Sequence, residues 1–291
     1  MKLAIIANPI SGGGRACKQL QRHIQAWAHA DWEVEMQATK CAGHAGVLAR
    51  EILDRQPDLL AVCGGDGTLN EVLSSVPEPP FPVAMIPAGT ANVLARELSL
   101  PLNPIQALDI ALKRVVRRVD LGILQGRQQH RFLLMAGIGL DAYVVSRMRP
   151  NKRRLGIASF YLASLRAFLS YSFTEFSVCA PDETLKATSC LISNTRCYGG
   201  GLVFTPEADM SDGLLDILIL RGKPGIEHFR FIFSAWLGRP RPASCVQRRR
   251  LPALRVEGPR GLWVQTDGEP IGTLPIDVTL SHASFPLVVP V

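Results

Sequence analysis

At 291 residues and 47% hydrophobic content, the chain is long enough for one large or two ordinary domains and too apolar to stay unfolded. Lysine plus arginine, 32 in all, exceed aspartate plus glutamate, 25, so the net charge of +7 suits anionic partners such as nucleotides, nucleic acid or acidic lipid headgroups. Seven cysteines form no CxxC pair, which excludes zinc-ribbon and thioredoxin-like designs and favours reduced, mostly buried thiols in a cytosolic protein.

In chain order, Leu3–Ala7 reads as a first strand; it is too short for a signal peptide and breaks at Asn8-Pro9. Helical spacing over Arg15–His29 and Gly43–Leu53 flanks a strand at Glu33–Ala38, and Asp58–Val62 is the apolar run of a buried parallel strand. Gly67–Ser75 resumes a helix and Pro82–Ile86 a strand, the rhythm of a parallel α/β sheet. After Asp120 the pattern turns β-rich. Strands are predicted at Arg131–Ala136, Glu175–Ala180, Thr184–Ser193, Leu214–Leu220, Leu251–Val256, Leu262–Thr266 and Pro275–Leu280, interrupted by helices at Leu155–Leu169 and Ile226–Leu237. A second, antiparallel β domain follows. The expected boundaries are 1–121 and 122–281, with 282–291 open to a return to the first domain. No stretch reaches the roughly 18 to 20 apolar residues of a membrane helix, so any membrane contact is expected to be peripheral.

Three glycine-bearing turns follow predicted strands: Asn8 to Gly14, Gly64-Gly65-Asp66-Gly67, and Pro87 to Asn92. Ligands of such sheets bind outside the carboxyl ends of the strands, and Thr39 ends the second strand on that edge. Glycine admits positive φ and close backbone approach, so successive amides beside a helix N-terminus can hold an anion. Asp66 is the residue to explain, since a bare carboxylate repels phosphate; it either holds a cation or handles a proton, and both uses point to ATP with magnesium. The Walker pattern GxxxxGK[ST] is absent.

The chain resembles the diacylglycerol kinase catalytic-domain family, in particular the bacterial soluble lipid kinases related to sphingosine kinases. The resemblance rests on Asn8-Pro9 with Gly12-Gly13-Gly14, the run Gly64 to Val72, Pro87 to Asn92, Val119-Asp120-Leu121-Gly122, Gly137 to Ala142, Ser211 to Asp216, and Asp267-Gly268-Glu269. It implies an N-terminal α/β nucleotide domain, NAD kinase- and phosphofructokinase-like, and a C-terminal antiparallel β-sandwich for the lipid, with the active site in the cleft between them. On that resemblance Asn8, Thr39, Gly65, Asp66, Gly67, Thr68, Leu69, Asn70, Glu71, Gly89 and Thr90 contact ATP. Asp66 and Glu269 are the catalytic carboxylates, with Glu269 the proton acceptor from a lipid hydroxyl. Asp209, Asp212 and Leu214 fall on a structural magnesium site, Asp209 and Leu214 through their backbone carbonyls. The implied partner is a lipid substrate at an anionic membrane surface and not nucleic acid; a cytoplasmic, peripherally associated protein is expected, and a homodimer is left open. One position departs: many relatives carry aspartate where this chain has Val93, which cannot join a carboxylate–water–magnesium network.

Other signals are weaker. Gly137 to Ala142 formally fits GxGxxG/A, but the βαβ context is missing and helix-entry packing is the better reading. The cluster Arg147, Arg149, Lys152, Arg153 and Arg154 beside Phe160-Tyr161-Leu162, and the triplet Arg248-Arg249-Arg250, are either solvated faces or docking sites for anionic lipid. The six histidines show no HxxxH or HExxH spacing. Two rivals stand beside the lipid kinase: an NAD kinase-like enzyme acting on a soluble nucleotide, and a non-catalytic lipid- or nucleotide-responsive module.

Overall fold

The computed structural model describes residues 1–26, 31–147, 170–199, 201–223 and 225–291. The predicted helix at Leu155–Leu169, the end of the predicted helix at Arg15–His29, and Arg149, Lys152, Arg153 and Arg154 with Phe160 to Leu162 lie outside the described residues. The chain divides into two units, Met1–Val119 with Ala283–Val291, and Asp120–His282.

In the first unit, β1 (Lys2–Ala7), α1 (Arg15–Gln25), β2 (Glu33–Ala38), α2 (His44–Leu53), β3 (Leu59–Gly64), α3 (Asp66–Ser75) and β4 (Val83–Pro87) follow one another. Their parallel sheet has the order β2-β1-β3-β4. Every residue of β3 and β4 is buried, as the unbroken apolar runs demand of strands covered on both faces. Two helices then follow, α4 (Val93–Glu97) and α5 (Pro104–Lys113). The second begins at Asn103, whose side chain accepts from the Ile105 amide at 2.9 Å, with proline as its first residue. Leu3, Ile5, Leu20, Leu59, Ile86 and Leu108 build the core, and Val288 joins it from the far end of the chain.

Two strands carry the chain across the unit boundaries: β5 (Val116–Gln125) runs into the second unit, and a late strand runs back. The second unit continues with β6 (Gln129–Phe132), β7 (Met135–Ile138), α6 (Leu140–Arg147), β8 (Phe176–Cys179), β9 (Thr184–Ala187) and β10 (Ser189–Ser193). A two-residue pair, β11 (Cys197–Tyr198) and β12 (Leu202–Val203), precedes β13 (Leu215–Leu220). Then come α7 (Ile226–Trp236), β14 (Val246–Leu251), β15 (Leu254–Glu257), β16 (Trp263–Thr266), β17 (Glu269–Thr273) and β18 (Ile276–Val288).

An antiparallel sheet of order β14-β13-β10-β7-β16-β17 dominates this unit. Its core gathers Phe132, Ile138, Phe176, Ile192, Ile217 and Val256. An α/β parallel unit followed by an antiparallel β unit is thus the observed fold class. Three predicted strands are each two. Arg131–Ala136 splits because the Asp267 carboxylate takes the Leu133, Leu134 and Met135 amides out of the ladder. Leu251–Val256 splits at Pro252, which has no amide to donate. Thr184–Ser193 breaks at Thr188, whose hydroxyl and amide turn to the β13 end at Leu220 and Gly222.

Candidate active site

In the first unit four strand ends lie on one edge, stitched by backbone bonds that continue the ladder. Thr39 N donates to Ala7 O, Asn8 N to Cys63 O, and Ala88 N to Gly64 O, each at 2.8 Å. The three glycine turns therefore meet. A Cβ on Gly89 would stand 2.6 Å from the Gly65 Cα, and one on Gly12, at φ +53°, would stand 2.3 Å from the Ala88 carbonyl oxygen. Backbone presses on backbone at both contacts, so glycine is required by the packing of the turns on each other.

Asn8 spans the first two turns. Its Nδ2 donates to Thr68 Oγ1 at 3.0 Å and its Oδ1 accepts from the Ile10 amide at 3.2 Å. Below it the Cys17 thiol donates to Asn8 O at 3.0 Å and lies 3.3 Å from Cys63 Sγ. Both α1 and α3 open after a glycine, so no N-cap side chain occupies their starts. That is a chemical fit to a polyphosphate. Asn70, on the first turn and a half of α3, adds a buried Oδ1 that has no hydrogen-bond partner.

Asp66 is placed differently from a bare phosphate-side acid. Its Oδ2 accepts from the Val93 amide at 3.0 Å and its Oδ1 from the Leu94 amide at 3.1 Å, so it ties α3 to the start of α4. Burial raises its carboxyl above the usual range, against the pull of those two amides. Val93 takes part through its backbone, with its side chain buried. Of the other predicted nucleotide contacts, Thr90 is exposed, and Gly65, Gly67 and Gly89 are half-buried on the same edge. Leu69 buries its side chain, and the Glu71 carboxylate accepts from the Ala45 amide at 3.0 Å, fastening the start of α2.

The second unit holds the other candidates. Asp267, at φ +47°, opens the β16–β17 turn and accepts three amides, from Leu133, Leu134 and Met135, at 2.9 to 3.0 Å. The Gly268 amide donates to Gln265 Oε1 at 2.7 Å. Glu269 follows on this fixed turn, exposed, and among the described residues no hydrogen bond or ion pair engages its carboxylate. Gln265 also donates to Asp141, which Tyr198 bonds from its other side. Burial raises the Asp141 carboxyl, and a Cβ on Gly137 would collide with it at 1.7 Å. Gly137 and Asp141 thus serve helix entry at α6.

In the loop from Asp209 to Leu214 the acidic side chains are held by the protein itself. Asp209 Oδ1 accepts from the Ser211 amide and hydroxyl, both at 2.9 Å. Asp212 accepts from the Leu214 amide at 3.0 Å and pairs through its other oxygen with Arg250. Among the described residues no group of three or more histidine, cysteine or acidic side chains can hold a metal. Arg250 supplies positive charge to the loop, reaching Asp216 at 3.5 Å as well. Asp120, whose role the sequence did not reveal, is fully buried and anchors the same loop: it accepts from the Gly213 amide and pairs with His282, both at 2.8 Å.

The basic triplet is likewise committed to the protein. Arg249 pairs with Glu183, Arg250 with Asp212, and Arg248 lies 5.7 Å over the Phe231 ring. Among the described residues no helix is long and apolar enough to cross a membrane. A cavity of about 910 Å³ opens in this unit, walled by Leu124, Trp263, Val264, Ile271, Leu274 and Ile276.

Comparison with known proteins bears on these two sets of residues. The model of the diacylglycerol kinase catalytic domain matches residues 2–124, and that of the YegS C-terminal NAD kinase beta sandwich-like domain matches residues 135–289. The chain is 30% identical to a diacylglycerol kinase of Mycobacterium tuberculosis, over 99% of this chain and 95% of that one. It is also 30% identical to a diacylglycerol kinase of Bacillus subtilis, over 98% and 95%. A probable lipid kinase YegS-like of Pseudomonas aeruginosa is 33% identical over 87% and 84%. Among solved structures, a diacylglycerol kinase from Bacillus anthracis superposes with a TM-score of 0.72 at 22% identity, covering 99% of this chain and 96% of that one, and thereby shares the fold.

Proposed function

Because the chain belongs to the diacylglycerol kinase catalytic-domain family, with the YegS-type C-terminal domain, and is therefore a lipid kinase by descent, we propose that it transfers the γ-phosphoryl group of magnesium-bound ATP to the hydroxyl of a diacylglycerol-like lipid at a membrane surface. One observation carries this reading: three glycine turns locked backbone to backbone beside two uncapped helix starts, the setting for a polyphosphate.

On this reading Asn8, Gly65, Gly67, Thr68, Gly89 and Thr90 cradle the phosphates, with Thr39 on the same edge. Asn70 turns its unpartnered oxygen to use, and Leu69 and Glu71 contribute through the backbone. Magnesium bound to the nucleotide would supply charge neutralisation for the phosphates. Asp66 organises the cradle, and Glu269 accepts the proton that the lipid hydroxyl loses as it attacks. The acyl tails suit this cavity, because β17 begins at Glu269 and lines the cavity from Ile271 to Thr273. Asp212 pairs with Arg250 and steadies its loop, where the Asp209 and Leu214 carbonyls would complete a structural magnesium site.

The test is turnover of γ-labelled ATP by the purified chain with a panel of lipid alcohols in mixed micelles, with and without EDTA. Label in diacylglycerol or a related alcohol, lost in EDTA together with a fall in melting temperature, is the expected result. Label appearing in NAD and in no lipid would sink the proposal. A melting temperature that stays put in EDTA would take the metal from the Asp209–Leu214 loop.

A further inference from the structure

The helix α7 is apolar on two opposite faces, and protein covers one of them. His228, Phe231, Ser234 and Ala235 are buried. Spaced three or four residues away along the same helix, Ile226, Phe229, Phe233 and Trp236, with Leu237 just beyond, remain 46 to 72% exposed. Five large apolar side chains on successive turns of one face form a continuous patch, and the Phe233 and Trp236 rings lie 5.8 Å apart within it. The other large exposed apolar side chains among the described residues do not share a helix face with it.

The rim of this face is cationic. Arg230 sits on the helix beside the patch, and Lys223, Arg239 and Arg241 flank its two ends, all exposed. Between residues 223 and 241 Glu227 is the one acid, and its carboxylate is turned away to the Ser244 amide and hydroxyl. Phenylalanine and tryptophan within a ring of arginine and lysine is the composition of a helix that lies in the headgroup region of an anionic bilayer. A second copy of the chain is a poorer occupant, since an isologous contact sets each cationic rim against its twin.

We propose that the exposed aromatic face of α7, with the arginines and lysine around it, is the surface by which this protein docks on an anionic lipid bilayer. The choice of a bilayer as partner rests on the lipid kinase reading, whereas the docking can be measured without substrate or nucleotide. The surface differs from the two basic runs that the sequence offers, one largely outside the described residues and the other consumed by internal pairs.

Flotation with vesicles of phosphatidylcholine alone, or with phosphatidylglycerol added, and with neither ATP nor acceptor lipid, tests the proposal. The wild-type chain is expected to float with the anionic vesicles and to be released by salt. Phe233→Ser with Trp236→Ser, and separately Arg239→Glu with Arg241→Glu, should each weaken that binding about tenfold while leaving the melting temperature unchanged. Undiminished flotation of both variants overturns the proposal. So does a loss of self-association in the ultracentrifuge with vesicle binding intact, which would assign the face to a second copy. Turnover of a short-chain, water-soluble acceptor separates the two readings. Both variants should retain it, and a wild-type chain that floats but labels no lipid defeats the kinase reading while the docking surface stands.

Discussion

The two turns that carry the acidic candidates, Gly64 to Gly67 and Asp267 to Glu269, use the same residue types to opposite ends. In the first, the acid is the fastener: Asp66 holds two amides of the next helix, and the glycines let neighbouring turns press together. In the second, Asp267 takes the fastening role with three amides, and the carboxylate two residues on is left over. A carboxylate that already satisfies buried amides is costly to recruit for proton transfer, because moving it leaves those amides bare. Glu269 has no such tie.

The comparison breaks most visibly at Glu269. Glu269→Gln should lower kcat about 10²- to 10⁴-fold with the melting temperature unmoved, whereas Asp66→Asn should lower the melting temperature together with activity. Calorimetry beside steady-state assays reads both, and equal stability losses in the two variants would erase the distinction. A smaller effect is expected at the contact between turns. Gly89→Ala should cost about 1–3 kcal/mol by chemical denaturation and raise the KM for ATP more than that for the lipid, since the new Cβ meets backbone. An unchanged KM for ATP would detach this contact from nucleotide binding.

The mildest test concerns the acidic loop of the second unit. Burial, partly offset by Arg250, lifts the Asp216 carboxyl to about 6 from an ordinary 3.8. A carboxyl raised in the folded chain binds its proton more tightly there, so its contribution is fully present below about pH 4. It is lost as pH climbs through about 6. Stability measured by urea titration should therefore fall by no more than about 3 kcal/mol across that window, and Asp216→Asn should flatten the slope. A wild-type curve already flat between these limits would contradict the assignment.

Much of the first unit was readable because its signals are local. Apolar runs of five or six residues ending in glycine mark the strands and turns, and all four predicted strands appear. Helix α5 is absent from the sequence-based expectations although Asn103-Pro104 is a standard start signal. The second unit was harder for a physical reason. The break between β6 and β7 is imposed by Asp267, more than 130 residues away, and no window of sequence contains that cause. Arg250 on Asp212, 38 residues apart, also lies outside any short window. For α7 the helix itself was legible from its spacing, but apolar residues all round a helix predict burial; which side protein leaves uncovered is decided by tertiary packing.

The strand β18 ends in the first unit. Phe285, Leu287 and Val288 are buried there, Leu287 pairs in parallel with Val83, and the Val289 amide donates to Val115 O at 2.9 Å. During synthesis the first unit therefore waits, through the whole of Asp120–His282, for the strand that completes its sheet. A ribosome carrying the first 120 residues bears an open β4 edge and an uncovered core, a natural client for a chaperone. The second unit is complete at His282 and the first only with Ala283–Val291, so the two units close at nearly the same point of synthesis.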